Sequence, residues 1–382
     1  PTRVAMRLRG DLGAIEAAAK LLATCERPVI VAGDAVAQSG AFAEVVALAE
    51  RLGAPVYAEG IASRASFPAS HPLFRGGFVR LAHSIRAVLE SHDMLLSIGG
   101  DLFTLSLPGN VEAVPEGLAI VHLDNDPWEL GKNYPAKVAI LGDPKATLPD
   151  LTSALNAAMS PAERGRAEAR LAKAKTQGAS ALAALRSQAE SLAARSPIQP
   201  LALMQAIADA LPNDAVVVDE SISSGAGLRQ FLKSDDTQSF YGLRGGGIGW
   251  GLPAAIGVKL ALPDRPVVAV IGDGSAMYTC QALWTAAHDK VPVVFVILNN
   301  ASYRILKQRV NAMKAHAAQT DIYVGMDLTN PRVDYVGLAK SLGLAAERAT
   351  TLPQVRELLA AALKSGGPML IDVEIDRTWK PV

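Results

Sequence analysis

Short apolar runs rich in Val, Ile and Leu alternate along this chain with longer segments of helical spacing, and the alternation predicts the architecture. After a short basic lead, residues 1–11, the segment Leu12 to Ala23 has helical spacing, and Arg27 to Asp34 (RPVIVAGD) reads as a buried strand ending in a turn. A helix at Ala41 to Leu52 then precedes a strand at Pro55 to Glu59. Another helix, Ile85 to Glu90, precedes a strand at Met94 to Asp101, and strands follow at Ala119 to Asp126 and Val138 to Asp143. Residues 159–195 break the pattern. They are rich in Ala, Arg, Lys, Glu and Gln, and their charges alternate in sign, which predicts a long helical connector with a solvated face. Ser196 to Pro200 (SPIQP) ends it. A second alternating block follows, with a helix at Leu201 to Leu211 and a strand at Ala215 to Ser221. Further strands at Val267 to Ile271, Val293 to Leu298 and Met369 to Ile375 enclose helices at Tyr335 to Leu342 and Leu352 to Ser365. The fold class expected is α/β: two doubly wound parallel-sheet domains, 12–158 and 196–382, joined by a helical linker.

Composition narrows the partners. At 382 residues, 50% of them apolar, the chain can bury two cores of ordinary size. Lys plus Arg equals Asp plus Glu at 37 each, so there is no net pull toward nucleic acid or an anionic membrane, and small neutral or anionic ligands are expected. Cys25 and Cys280 cannot form a disulfide framework; both lie in apolar, helix-like sequence and read as two buried thiols of a cytoplasmic protein. No apolar run reaches membrane-spanning length, and the start lacks the apolar core of a signal peptide. The first residue, Pro1, suggests a fragment or a processed chain.

The candidate chemistry centres on residues 267–300. Two buried-type strands flank a helix-compatible segment; Gly272-Asp273-Gly274 follows the first and Asn299-Asn300 ends the second. In a βαβ unit both clusters emerge at one carboxyl edge, where a carboxylate and an amide can share a metal. A helix beginning just past Gly274 would turn its free N–H groups toward the same crevice, so the stretch reads as a site for Mg²⁺ carrying a phosphorylated ligand. Asp273, Asn300 and the carbonyl of Ser302 can fill three positions of an octahedral ion, leaving room for two diphosphate oxygens and a water. The serines from Ser221 to Ser224 can cap a helix or bind phosphate. Asp34, Asp101 and Asp143 follow strands and read as turn and capping residues, and His71, His83, His92 and His122 as structural. His288 is expected on the helix between the two site strands, and His316 beyond the site as a candidate proton shuttle. A nicotinamide-binding reading competes, because Gly249-Trp250-Gly251-Leu252-Pro253-Ala254 fits GxGxxA. It needs a strand directly before Gly249, and none is evident.

With VIGDGSA, the paired asparagines, GLPAAIGVKLA and ALWTAA in the second half, and HPLFRGG and HLDNDPWELGKNYPAKVAILGD in the first, the chain resembles the thiamine diphosphate (ThDP) enzymes. The similarity is to the family of benzoylformate decarboxylase, acetolactate synthase and pyruvate decarboxylase. It implies ThDP and Mg²⁺ as cofactors, Asp273, Asn300 and Ser302 as metal ligands, and Ser223, Gly272, Gly274, Ser275, Ala276 and Tyr303 around the diphosphate. Gly246 matches the glycine whose carbonyl accepts a hydrogen bond from the aminopyrimidine, and Ile248 the bulky residue that wedges the cofactor into its bent form. The implied reaction is decarboxylation of a 2-oxo acid or carboligation, by a lyase or a transferase assembled as a homodimer or homotetramer. Two departures stand out. The glutamate that activates the aminopyrimidine belongs to an N-terminal pyrimidine-binding domain not found in these residues, which would have to come in cis or in trans. Ser106 stands where benzoylformate decarboxylase has a catalytic histidine. Arg304 could meet a substrate carboxylate or simply face solvent, and no FAD motif is evident. The alternative from another class is a non-catalytic ThDP-binding module.

Overall fold

The computed structural model describes residues 7–60, 63–233 and 235–379; the first six residues of the basic lead lie outside them. The chain divides into two compact units, residues 1–183 with 235–238, and residues 184–234 with 239–382.

The first unit is one parallel sheet of β1 (Pro28–Ala32), β2 (Val56–Ala58), β3 (Phe74–Gly77), β4 (Met94–Ile98), β5 (Ala119–Asp124) and β6 (Val138–Leu141), in the order β3-β2-β1-β4-β5-β6. Its central strands β1 and β4 are short apolar runs because both faces are covered. On one face Ile30, Leu96, Ile98 and Leu123 pack with the helices Leu12–Thr24, Phe42–Leu52 and Pro144–Ala158. On the other, Val29, Val31, Leu95 and Ile120 pack with the helix Ala82–Leu89 and with Phe78 and Phe103. Alternate residues of one strand thus enter two cores, each fully buried Val, Leu or Ile contributing ~1.5–3 kcal/mol of transfer free energy.

The helix Pro161–Ser191 runs 31 residues. It is not solvated all round: Ala167 and Ala174, seven apart, are buried, and Arg170 donates to the Leu52 carbonyl at 3.1 and 3.0 Å.

The second unit has β7 (Val216–Glu220), β8 (Phe240–Gly242), β9 (Val267–Gly272), β10 (Val293–Asn299), β11 (Ala345–Ala349) and β12 (Met369–Glu374). All pair in parallel, in the order β11-β12-β10-β9-β7-β8. From β7 the chain steps to β8 on one side and to β9 on the other, so the topological switch point lies between β7 and β9. Among the described residues no helix is long and apolar enough to cross a membrane.

Asp143 caps its helix as expected, accepting the Ala146 N–H at 3.0 Å. Asp34 opens the helix Asp34–Ser39 and also accepts from the backbone N–H and hydroxyl of Ser63. The cysteine expectation needs correction. Cys25 is buried, and its thiol is pushed up to about 12 by burial, but it follows its helix rather than lying in it. Cys280 is only half-buried, in a turn ahead of the helix Ala282–His288, where its apolar neighbours Met277 and Tyr278 are also exposed.

Candidate functional site

Strands β9 and β10 lie side by side with Leu298 opposite Gly272, so Asp273 and Asn300 leave the sheet together. Both side chains are buried, 2% and 4% exposed. The backbone N–H groups of Ala301 and Ser302 bear on the Asp273 carboxylate, which brings the two turns into direct contact. Burial nevertheless pushes the Asp273 carboxyl up to about 6 against those donors. Two oxygens at this edge, Asp273 Oδ2 and Asn300 Oδ1, meet no donor. A buried acceptor left unpaired costs ~1–3 kcal/mol, and two on adjacent strand ends fit a hard cation. Among the described residues no three His, Cys, Asp or Glu cluster to hold a metal, so an ion here would rest on this mixed carboxylate, amide and carbonyl set.

Asn299 points elsewhere. Its amide donates to Asp372 Oδ1 at 2.9 Å and its oxygen accepts the Ala301 N–H at 3.2 Å, while Asp372, fully buried, also accepts from Arg348 at 3.0 Å. Ala301 sits at φ 49°, the left-handed bend that swings Ser302 back, and the Ser302 hydroxyl donates to the Met326 carbonyl at 2.9 Å. Tyr335 donates to the Asp273 carbonyl at 2.8 Å, fixing the turn from the other side.

A Cβ on Gly274 would come 2.5 Å from the Tyr303 ring, so glycine is required for that ring to lie where it does. Ser275 and Ala276 are buried beneath. The helix expected just past Gly274 is a single turn, Asp273–Ala276, which ends before the helix Ala282–His288 begins. It is too short to bring a macrodipole, and any anion here would be met by individual N–H groups. His288 does lie on the connecting helix, stacked on Trp284 at 4.7 Å, and His316 opens a five-residue helix, His316–Thr320.

The glycine-rich loop is anchored by a residue the sequence reading passed over. Glu220, the last residue of β7 and 1% exposed, accepts the Gly249 N–H at 2.6 Å and the Gly251 N–H, and Thr279 donates to the Gly249 carbonyl at 2.6 Å. Burial raises the Glu220 carboxyl and the loop N–H groups oppose it. This weighs against the nicotinamide reading, in which those N–H groups would be free for a pyrophosphate. A short strand, β8, does precede the loop, but it ends at Gly242. Gly246 lies at φ 74° in the exposed part of the loop, where a Cβ on Gly245, Gly246 or Gly247 would meet no described atom within 4 Å, and Ile248 is half-buried beside it. Arg304 does not face solvent: it is 5% exposed and bonded to Ser223 and Ser224. In the first unit, the Ser106 hydroxyl is committed to the Arg80 carbonyl at 2.8 Å.

The geometry and known families converge here. Residues 223–373 match the C-terminal TPP-binding domain of thiamine pyrophosphate enzymes, and residues 15–151 match the central domain of the same enzymes. The chain belongs to this family and carries those two domains. It is 32% identical to benzoylformate decarboxylase of Pseudomonas aeruginosa over 92% of this chain and 62% of that protein. It is also 32% identical to a probable acetolactate synthase large subunit of Methanocaldococcus jannaschii, over 95% and 60%. The crystal structure of benzoylformate decarboxylase from Polynucleobacter necessarius superposes with a TM-score of 0.83 at 26% identity, covering 100% of this chain and 68% of that one. The chain thus spans about three fifths of the length of these curated relatives.

Proposed function

We propose that these residues form the diphosphate and metal half of an enzyme that decarboxylates a 2-oxo acid, or joins its product to a second carbonyl compound, with ThDP and Mg²⁺. The observation that carries the reading is the pair of buried, donor-free oxygens, Asp273 Oδ2 and Asn300 Oδ1, at adjacent strand ends next to the switch point. They fit a hard cation, with the Ser302 carbonyl as third protein ligand. When bound, ThDP supplies the electron sink into which the carbon–carboxylate bond electrons pass. The chain's own part is to hold and orient. Tyr303 and the turn Gly272 to Ala276 surround the diphosphate, Ser223 closes it from the β7 side, and Gly246 and Ile248 present a carbonyl and an apolar wedge to the rest of the cofactor. Glu220 keeps their loop in register.

Activation of the aminopyrimidine and assembly into a homodimer or homotetramer are part of the same proposal, the activating carboxylate coming from polypeptide beyond these residues. That the chain spans three fifths of these relatives' length supports an activating carboxylate from outside these residues; the assembly is carried over from the family resemblance alone. The test is calorimetry with ThDP and Mg²⁺, followed by a 2-oxo acid panel with and without the upstream polypeptide. Magnesium-dependent binding that Asp273→Ala abolishes is the expected result. No binding by the unaltered protein, or binding indifferent to Asp273→Ala, overturns the reading.

A further inference from the structure

Arg304 opens the helix Arg304–Ala312 directly after the β10 turn, and it spends its guanidinium inward. Nε donates to Ser223 Oγ at 3.1 Å, Nη2 to the Ser223 carbonyl at 3.2 Å and to Ser224 Oγ, and Nη1 to the Asp376 carbonyl at 3.2 Å. All four acceptors are uncharged. The Asp376 carboxylate is engaged by Gln199 and Thr378 instead. Burial pulls the Arg304 pKa down, with the charges of Asp273 and Asp376 opposing. A guanidinium keeps its proton in a protein, so a permanent positive charge is held here with no carboxylate hydrogen-bonded to it among the described residues.

Its reach across the sheet is the second observation. Ser223 follows β7, Arg304 follows β10 and Asp376 follows β12, while β9, which ends at Asp273, runs between β10 and β7. One side chain therefore ties together the exits of three strands on both sides of the candidate metal ligand. A planar fork with five donors can do this; an ammonium cannot.

We propose that Arg304 is the positioning residue of the diphosphate subsite: it fixes the Ser223–Ser224 turn where Ser223 meets the diphosphate, and its charge favours an anion beside Asp273. This rests on the ThDP reading above.

The test is a double-mutant cycle on ThDP affinity at saturating Mg²⁺, comparing the unaltered protein with Arg304→Gln, Ser223→Ala and the double variant, each checked for folding by circular dichroism. Arg304→Gln is expected to raise the Kd about tenfold or more, the size seen when a residue orienting a ligand is removed. In the Ser223→Ala background most of that loss should vanish, a non-additivity that general destabilisation does not produce. Arg304→Lys, which keeps the charge but not the fork, should recover only a small part, and it carries the comparison if Arg304→Gln does not fold. Unchanged Kd, additive losses, or full recovery by Lys would each overturn the proposal. So would an unchanged Kd with a raised KM for a 2-oxo acid, which would place the guanidinium on substrate. Magnesium-dependent binding that is lost in Asp273→Ala leaves the ThDP reading standing if Arg304 fails; no binding by the unaltered protein removes both.

Discussion

Two adjacent asparagines at the end of one strand are put to opposite uses. Asn299 satisfies the buried carboxylate of Asp372, whereas Asn300 leaves its oxygen free at the site. Asn299→Ala should therefore destabilise the fold by ~1–3 kcal/mol, the cost of a buried acceptor that loses its donor. Asn300→Ala should leave urea stability nearly unchanged while weakening magnesium-dependent ThDP binding roughly tenfold. Denaturation and calorimetry on both variants check this, and the reverse ranking would contradict it. A single residue also sets a pH response in the first unit. Glu59 is 3% exposed and its Oε2 accepts the Asp101 N–H at 2.9 Å. Burial first, then the hydrogen bond and charge of the Asp101 carboxyl and the charge of Asp34, hold its pKa well above the carboxylate range, against the Asp101 N–H; Arg80 lines the same small cavity. The folded state thus binds this proton more tightly than the unfolded chain does. Its contribution is full below the unfolded pKa and is lost as pH rises through the folded one. Glu59→Gln, which imitates the protonated acid, should flatten the decline of Tm from the ordinary carboxylate range upward and exceed the unaltered protein at the alkaline end. Parallel Tm profiles for the two proteins would rule this out.

At the scale of elements, the glycine loop depends on β7. Removing the Glu220 carboxylate strands the Gly249 and Gly251 N–H groups, so Glu220→Ala should cost ~2–6 kcal/mol, from two buried donors at ~1–3 kcal/mol each. It should also open residues 243–250 to limited proteolysis; a loop as resistant as before would show that other contacts hold it. The same element shows where sequence is a good guide and where it is not. The central strands β1, β4, β9 and β10 are apolar on both faces and were readable as runs. The three strands not foreseen, β3 (FRGG), β8 (FYG) and β11 (AAERA), are all at sheet edges. An edge strand has a neighbour on one side only and needs no continuous apolar run, so its composition resembles a loop. Asp273 and Asn300 were legible because each follows such a run. Glu220 was not, because a lone glutamate at a strand end says nothing of partners far along the chain. Arg304, for which a solvent-facing position was one of two readings, was not legible because its partners, the turn after β7 and the Asp376 carbonyl after β12, lie far along the chain.

For the whole molecule, one architecture is used twice with opposite outcomes at the switch point. In the first sheet, between β1 and β4, a Cβ on Gly33 would fall 2.2 Å from the Gly99 carbonyl and one on Gly100 would fall 2.0 Å from Glu59 Oε2. Backbone there lies directly on backbone and carboxylate, which closes the glycine turns and leaves a small cavity beside Glu59, Arg80 and Phe103. In the second sheet the turns after β9 and β10 leave Asp273 Oδ2 and Asn300 Oδ1 without a donor, beside a glycine loop with open space about Gly245 to Gly247, whereas in the first the buried Glu59 Oε1 and Asp101 Oδ1 belong to carboxyls that pair with each other. Ligand binding energy should therefore enter through the second edge alone. At a hundredfold excess over Kd, binding stabilises the folded state by ~2.7 kcal/mol, and that gain should be spent where the contacts form. Amide hydrogen exchange with and without ThDP and Mg²⁺ should slow in residues 221–224, 245–251, 272–276 and 299–304. Residues 33–36 and 99–104, at the first edge, should exchange at unchanged rates. Equal slowing at both edges would mean that the first crevice also takes the cofactor or senses it, contrary to the closure its glycine turns impose; slowing at neither would mean that the second edge does not hold it.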